Sequence, residues 1–440
     1  MTATAWRSTR PPPLASAGTA WIDVFAEHGY NDILTLDDGR LRDIETDIVR
    51  GTGLRRLDPD GGTTLVSSPD PRSEVFDGCP AIVVDAGDVS ADGRGLSALI
   101  NRWQRHSAEV VARVRAIDAR ASRVSMTVRR QVRQVAVALP DGTLRRQARR
   151  WFRTTVTVYA TDAAPPSRAA VGVATPDGGE PDLASVIAAA EGAAHRAVWQ
   201  LHPRPAPDRA LPLVLNGMAA GVLIHECVGH GMEADNIVDR DSVFGRSLGS
   251  TVALTDLTVV DDPTHPMSWC SHRYDDEGTA AVPTRLVDRG VLRGLLHTRA
   301  TAVRFGERPC GNALRDTFAA PPLARMTTTY ALPSGTDTAA LLRSVPEALH
   351  CRHLDGGQVD PATGQLVFTA REVSCLRYGE PAYPVPPFPV AGGAFALLSR
   401  ISAVGDDLDI VPGICIKRGQ AVRVAMGAPT IVLDARGRAR

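Results

Sequence analysis

Apolar and polar positions alternate with a period of two along three stretches between Arg123 and Thr161. These are Val124–Val128, Val132–Leu139 and Thr154–Ala160, with Asp141-Gly142 set between the last two. The pattern predicts an antiparallel sheet with one wetted face, and the Asp-Gly pair predicts a hairpin turn. Two stretches follow a helical period instead, 97–118 and the Ala-rich Leu183–Leu201, which Pro203–Pro212 breaks. Trp21–Leu57 reads as a small α/β unit, with a strand at Asn31–Leu36 and a turn at Asp37-Asp38-Gly39. Gly61-Gly62 and Pro69–Pro71 mark loops, and the Pro-, Gly- and Asp-rich 164–181 reads as a linker. Beyond Leu213 the chain is mainly strand, punctuated by Gly and Pro. Examples are Val252–Val260, Thr284–Val287, Gly290–His297 and a terminal strand pair over Gln420–Asp434. The expected fold class is α+β: an N-terminal α/β domain, then a mostly antiparallel β C-terminal domain that carries the metal site argued below. The divisions are a mobile tail at 1–18, an N-terminal domain at 19–120, a central sheet-helix segment at 121–205 and the C-terminal domain at 206–440.

Composition narrows the function classes. The 440 residues are 44% hydrophobic and 22% charged, an ordinary globular balance that argues against wholesale disorder. Arg plus Lys equals Asp plus Glu, 49 of each, so no broad nucleic-acid or anionic-membrane surface is expected. Lys417 is the sole lysine, a bias pointing to a GC-rich genome. Seven cysteines without repeated spacing do not read as a disulfide framework. Met1–Gly18 has no apolar run and reads as neither signal peptide nor anchor. The longest apolar stretch, Leu211–Ile224, is too short to span a bilayer. A soluble, cytoplasmic protein in reducing conditions is the expectation. No phosphate-binding loop, dinucleotide fingerprint or basic-aromatic stripe is present.

Chemistry concentrates at His225-Glu226-Cys227-Val228-Gly229-His230. In the familiar zinc-protease motif two histidines lie four residues apart and share a helix face. Here they lie five apart, which on a regular helix turns the rings about 140° from each other. If they share a metal, the helix must widen into a π-type turn or end near Gly229. Glu226 then has the position of a general base toward water acidified by zinc. A catalytic site needs a third protein ligand. Spacing leaves it open among the other cysteines, His272, Glu233 and Asp235, with Cys227 too close in sequence. The apolar run ahead of the motif buries it, and buried imidazoles and carboxylates need partners.

Gly221–Asp235 as a whole resembles the signature of the TldD/PmbA family of zinc metalloproteases. Further blocks follow in the family's order: Tyr274–Gly278 with Leu286–His297, Gly311-Asn312 with Pro321–Tyr330, Asp355–Phe368, and Gly413–Gln420 with Gly427–Thr430. The N-terminal half is matched loosely, around Asn31–Leu54, and Cys227 stands where a small residue is common. The resemblance implies zinc held by His225, His230 and Cys415, with Glu226 as base. It also implies small or unfolded peptide substrates, captured as an added β-strand in an enclosed cavity. The full motif resembles the catalytic kind of subunit, as a homodimer or a heterodimer with a TldE/PmbA-like subunit. Two other functions stay open: a zinc-dependent tailoring enzyme of natural-product or peptide biosynthesis, and a non-catalytic partner subunit.

Outside the motif, Glu233 and Asp235 are candidates to orient the imidazoles, or are solvated loop acids. His272 and Tyr274 are candidate oxyanion donors or plain structural residues. Asp275, Asp276 and Glu277 suggest a cation site. Arg325 and Gln358 are candidates to bind a peptide backbone. Cys79, Cys270 and Cys310 read as small buried hydrophobes.

Overall fold

The computed structural model describes residues 21–69, 93, 95–238, 242–254 and 256–435. The tail at 1–18, Pro71 and Cys79 lie outside the described residues, as do the side chains of Trp21, Val238 and Gln358.

The N-terminal half is one six-stranded antiparallel sheet in the order β3-β2-β1-β4-β5-β6. Its strands are β1 (Trp21–Asp37), β2 (Arg40–Leu57), β3 (Thr63–Ser68), β4 (Ala121–Ala138), β5 (Leu144–Ala160) and β6 (Ser167–Ala174). The expected helical part of Trp21–Leu57 is absent. β1 turns directly into β2 through Asp38 and Gly39, both at positive φ, the geometry a two-residue hairpin needs. The segment read as a linker contains β6, whose alternation is too diluted by Ala and Gly to register as a strand. Because β1 pairs with β4 along most of its length, the division drawn at 120/121 falls between two strands of one sheet.

Helices α1 (Leu96–Ile117) and α2 (Leu183–Trp199) cover one face of this sheet. Asp182 caps α2 by accepting from Ser185 N at 2.8 Å. Trp103, Val110, Met126, Phe152 and Val156 fill the layer between. The opposite face of the sheet meets the C-terminal half.

That half holds a six-stranded and a seven-stranded sheet, mostly antiparallel. Strand β7 (Leu213–Leu215) lies inside the seven-stranded sheet, between Glu347–Val359 and Ile431–Leu433. Helix α3 (Gly217–Ile224) follows, wedged between the two sheets. Burial on all sides explains why its sequence is apolar all round. The expected terminal strand pair divides instead: Gln420–Ala428 joins Asp409–Lys417, and Ile431–Leu433 joins β7 in the other sheet. The break falls at Thr430, whose N–H and hydroxyl both donate to Asp407.

Candidate metal centre

Asn216 opens α3 by accepting from Ala219 N at 3.1 Å. The helix runs regularly to Ile224 and then widens over His225–Gly229 into a π turn. Across it the His230 N–H donates to the His225 carbonyl. This widening swings the second ring back toward the first. The two ring centroids are 5.0 Å apart and nearly perpendicular. Gly229 allows a close approach here: a Cβ would lie 1.8 Å from Met326 Sδ, and that side chain would have to move.

Cys415 arrives from the hairpin formed by Asp409–Lys417 and Gln420–Ala428. Its Sγ lies 3.3 Å from His230 Nε2. Ligand atoms of His225, His230 and Cys415 all fall within 4.8 Å of one another. In a tetrahedral zinc site, bonds of about 2.0–2.3 Å place ligand atoms about 3.3–3.8 Å apart, so the set suits such an ion after small adjustments. His225 Nδ1 is buried and has no hydrogen-bond partner. Burial opposes ionisation of the Cys415 thiol, yet the two imidazoles outweigh it and hold the thiol well below its ordinary range. Two imidazoles facing a thiolate are a donor set for a borderline-soft cation.

Glu226 is nearly buried, and that burial raises its carboxyl above the usual range. The strand Glu347–Val359 passes closely over it: a Cβ on Gly357 would lie 2.9 Å from Glu226 Cγ. The Val359 backbone N–H, on the same strand, favours the charged form of Glu226 but by less than burial opposes it.

A second set of residues holds the ligands in place. Glu233 Oε2 accepts from His230 Nδ1 at 3.0 Å, which leaves Nε2 to face Cys415. Burial penalises the Glu233 carboxylate, but Lys417, His230 and Arg325 more than compensate and hold it far below the carboxylate range. Lys417, two residues past Cys415, reaches Glu233 at 3.0 Å, Asp235 at 2.5 Å and the Ala324 carbonyl at 3.0 Å. The sole lysine thus ties the cysteine hairpin to the histidine segment. Asn236 adds a bond to the His230 carbonyl at 2.8 Å.

The other candidates fall elsewhere. Arg325 does not face a peptide: it is fully buried, donating to the carbonyls of Cys415 at 2.7 Å and Gln420 at 3.0 Å. It clamps both ends of the turn that presents the thiol. His272 is buried with Nε2 donating to the Gly311 carbonyl at 3.0 Å, and its burial lowers its pKa to about 4. Tyr274 stacks under Arg145 at 4.5 Å and accepts from Arg149 and Gln147 through its carbonyl. It docks the two halves of the chain. Asp275, Asp276 and Glu277 are buried, and protein groups answer them. Glu277 meets Arg55, Asp276 meets Arg149 at 2.7 Å, and Asp275 accepts from the backbone N–H groups of Glu277, Thr279 and Ala313. Cys270 and Cys310 are buried, and burial pushes both thiols up to about 12. Gln358 lies in Glu347–Val359, its backbone opposite Val367.

Sequence reasoning passed over Lys417, Asn236 and Asp261. Asp261 is a buried carboxylate that accepts from Asn312, Thr327 and Thr329 and so anchors the Arg325 segment. The uniqueness of Lys417 was its one available signal.

The family model described as PmbA/TldA metallopeptidase C-terminal domain matches residues 208–437, just over half of the chain. The chain belongs to the PmbA/TldD family. The metalloprotease TldD homolog of Haemophilus influenzae is 32% identical over 333 residues, 73% of this chain and 68% of that protein. A metalloprotease of Methanothermobacter thermautotrophicus is 36% identical over 236 residues, 54% of this chain and 52% of that protein. The chain therefore spans about two thirds of the first relative and about half of the second. Among solved structures, TldE from Thermococcus kodakarensis matches at TM-score 0.75 and 16% identity, over 94% of this chain and 95% of that one. At that identity the likeness is one of fold. The matched segment of the family model contains His225, Glu226, His230 and Cys415. No described helix is long and apolar enough to cross a membrane.

Proposed function

We propose that the protein is a zinc-dependent peptidase acting on small or unfolded peptides. His225, His230 and Cys415 hold the metal, and Glu226 is the general base. The observation that carries this is the convergence of three ligand atoms within 4.8 Å beside a carboxyl whose pKa burial raises. When bound, zinc supplies a Lewis acid that acidifies water and polarises a carbonyl. Glu226 takes the proton of the attacking water and hands it to the departing amine. Glu233 and Lys417 keep His230 and Cys415 aimed, and Arg325 keeps the cysteine turn from relaxing. The metalloprotease names of the relatives support the same reading. The backbone of Gly357–Val359 lies beside Glu226, a position suited to strand-like capture of a peptide. The fold shared with TldE supports a partner of that kind, or a second copy of this chain, completing the enclosure.

The test is to incubate zinc-loaded protein with a pool of unstructured peptides and follow fragments by mass spectrometry. A Glu226→Ala variant serves as blank, and metal content is measured in both. Fragments from the wild type alone, with equal zinc in the two proteins, support the reading. Equal fragments from both, or no zinc retained by either, overturn it.

A further inference from the structure

A cavity of about 260 Å³ lies between the N-terminal sheet and the segments that deliver the metal ligands. Met218 and Val222 of α3 line it, Val222 one turn ahead of His225. Gly413 and Ile414 line it too, the latter directly ahead of Cys415. Its walls are mostly apolar and include no acidic residue. The charged residue of the N-terminal wall is Arg153 of β5, whose guanidinium lies across the bare Cα of Gly172.

Arg153 differs from the buried arginines of this sheet, Arg55, Arg133 and Arg149. Arg55 meets Asp23 and Glu277, Arg133 meets Glu27, and Arg149 meets Asp276. Arg153 has no ion-pair partner among the described residues, and its buried Nε has no hydrogen-bond acceptor. Directly opposite it on β4 is another arginine, Arg129, also without a carboxylate partner among the described residues. Arg423 is paired across the hairpin with Ile414 and stacks over Trp151 at 5.2 Å, adding positive charge to the same region. Burial and the Arg129 charge both disfavour the cationic form of Arg153. A guanidinium does not escape by losing its proton, so it calls for an anion from outside.

From the juxtaposition of this unpartnered guanidinium, the apolar cavity and the two ligand-bearing segments, we infer that the cavity is a substrate subsite in which Arg153 binds a carboxylate of the peptide. Arg153 offers a planar fork of N–H donors that matches a carboxylate, and the low dielectric strengthens the pair. Arg129 adds to the attraction from the neighbouring strand. The apolar walls accommodate the aliphatic part of the residue that carries the carboxylate. That group is either the C-terminus of the peptide or an Asp or Glu side chain. The inference rests on the peptidase reading for the identity of the ligand as a peptide.

The experiment uses a short peptide of Ala, Ser and Leu with an uncharged BODIPY label on its N-terminus, in four forms: C-terminal acid or amide, each with a central Glu or Gln. Binding to the full-length, zinc-loaded Glu226→Gln protein is read by fluorescence anisotropy, and cleavage by the wild type is followed separately. At least one carboxylate-bearing form is expected to bind about tenfold tighter than the neutral amide with Gln. The comparison of Glu-amide with Gln-acid shows which carboxylate is read. Arg153→Met should remove the preference while leaving affinity for the neutral form, and Arg153→Glu should shift it toward a Lys-bearing peptide. Arg129→Met, a second variant, should weaken the preference by a smaller factor. Equal binding of charged and neutral forms overturns the inference, as does a preference that persists in Arg153→Met. Preference without cleavage would support the subsite and remove the peptidase reading; cleavage without preference would do the reverse.

Discussion

Two short runs of this chain are dense in ionisable residues and both are buried: His225–Glu233 and Asp275–Glu277. Within the acidic turn the protein itself answers every group, two by opposite charge and Asp275, whose carboxyl burial and Glu277 push up to about 7, by hydrogen bonds alone. Asp276 and Glu277 find arginines carried by the N-terminal sheet, and Asp275 finds backbone N–H groups. The result is a seam that locks two halves together. Within the histidine run the satisfaction is incomplete. Glu233 is paired, but His225 Nδ1 has no partner and three donor atoms face one another across a gap suited to a cation. Density of charge therefore says little about function by itself; what separates a structural cluster from a reactive one is whether the fold supplies the counter-charge.

Removing a ligand should break this contrast most sharply. Cys415→Ala and His230→Ala are expected to abolish stoichiometric zinc after dialysis, read by elemental analysis, together with peptide cleavage. Glu226→Gln should keep the metal and lose about 10²–10⁴-fold in turnover. At the seam the large effect should be on stability instead. Glu277→Gln removes one of the two carboxylates on Arg55 and leaves it with Asp23; the loss of one buried charge-assisted bond is expected to cost about 1.5–3 kcal/mol in denaturant unfolding, with zinc content unchanged. Glu233→Gln sits between the two regions in kind: it should weaken zinc affinity about 10–100-fold in chelator competition, with a smaller loss of stability.

The smallest effect concerns His272. Its pKa is depressed to about 4 in the folded protein, against an ordinary value near 6.5. Between these values the unfolded chain binds the extra proton, so folding stability is complete above pH 6.5 and falls as pH drops toward 4. His272 is expected to contribute a slope of up to about 1.4 kcal/mol per pH unit, so His272→Gln should reduce the total slope by that amount, while His297 and His350, also held near 4 by burial, keep supplying theirs.

Much of the candidate metal centre was legible in the chain. If His225 and His230 share a metal, their five-residue spacing called for a helix that widens or ends near Gly229, and of the two the structure has a π turn. The apolar run before it foretold a buried helix, and the two helices of the N-terminal half were legible from their period. Less legible were elements whose character depends on neighbours. β6 has a weak pattern but gains its place by pairing with β5, and Gln420–Asp434 splits because two different sheets take its parts. Arg325 and His272, polar in sequence, are interior supports because carbonyls of distant segments accept their N–H groups.

What the sequence by itself determined is local: the periods of helix and strand, the turn residues, and the need for a distorted helix at the motif. These follow from backbone geometry and from residues a few positions apart. Residues 185 positions apart are a different matter, and that is the distance from His230 to Cys415. Only the tertiary structure brought the thiol 3.3 Å from the imidazole, set Lys417 and Arg325 around it, and left Arg153 facing a cavity without a counter-charge. Pairing and desolvation depend on what the fold places within a few ångströms, and spacing along the chain does not carry that information.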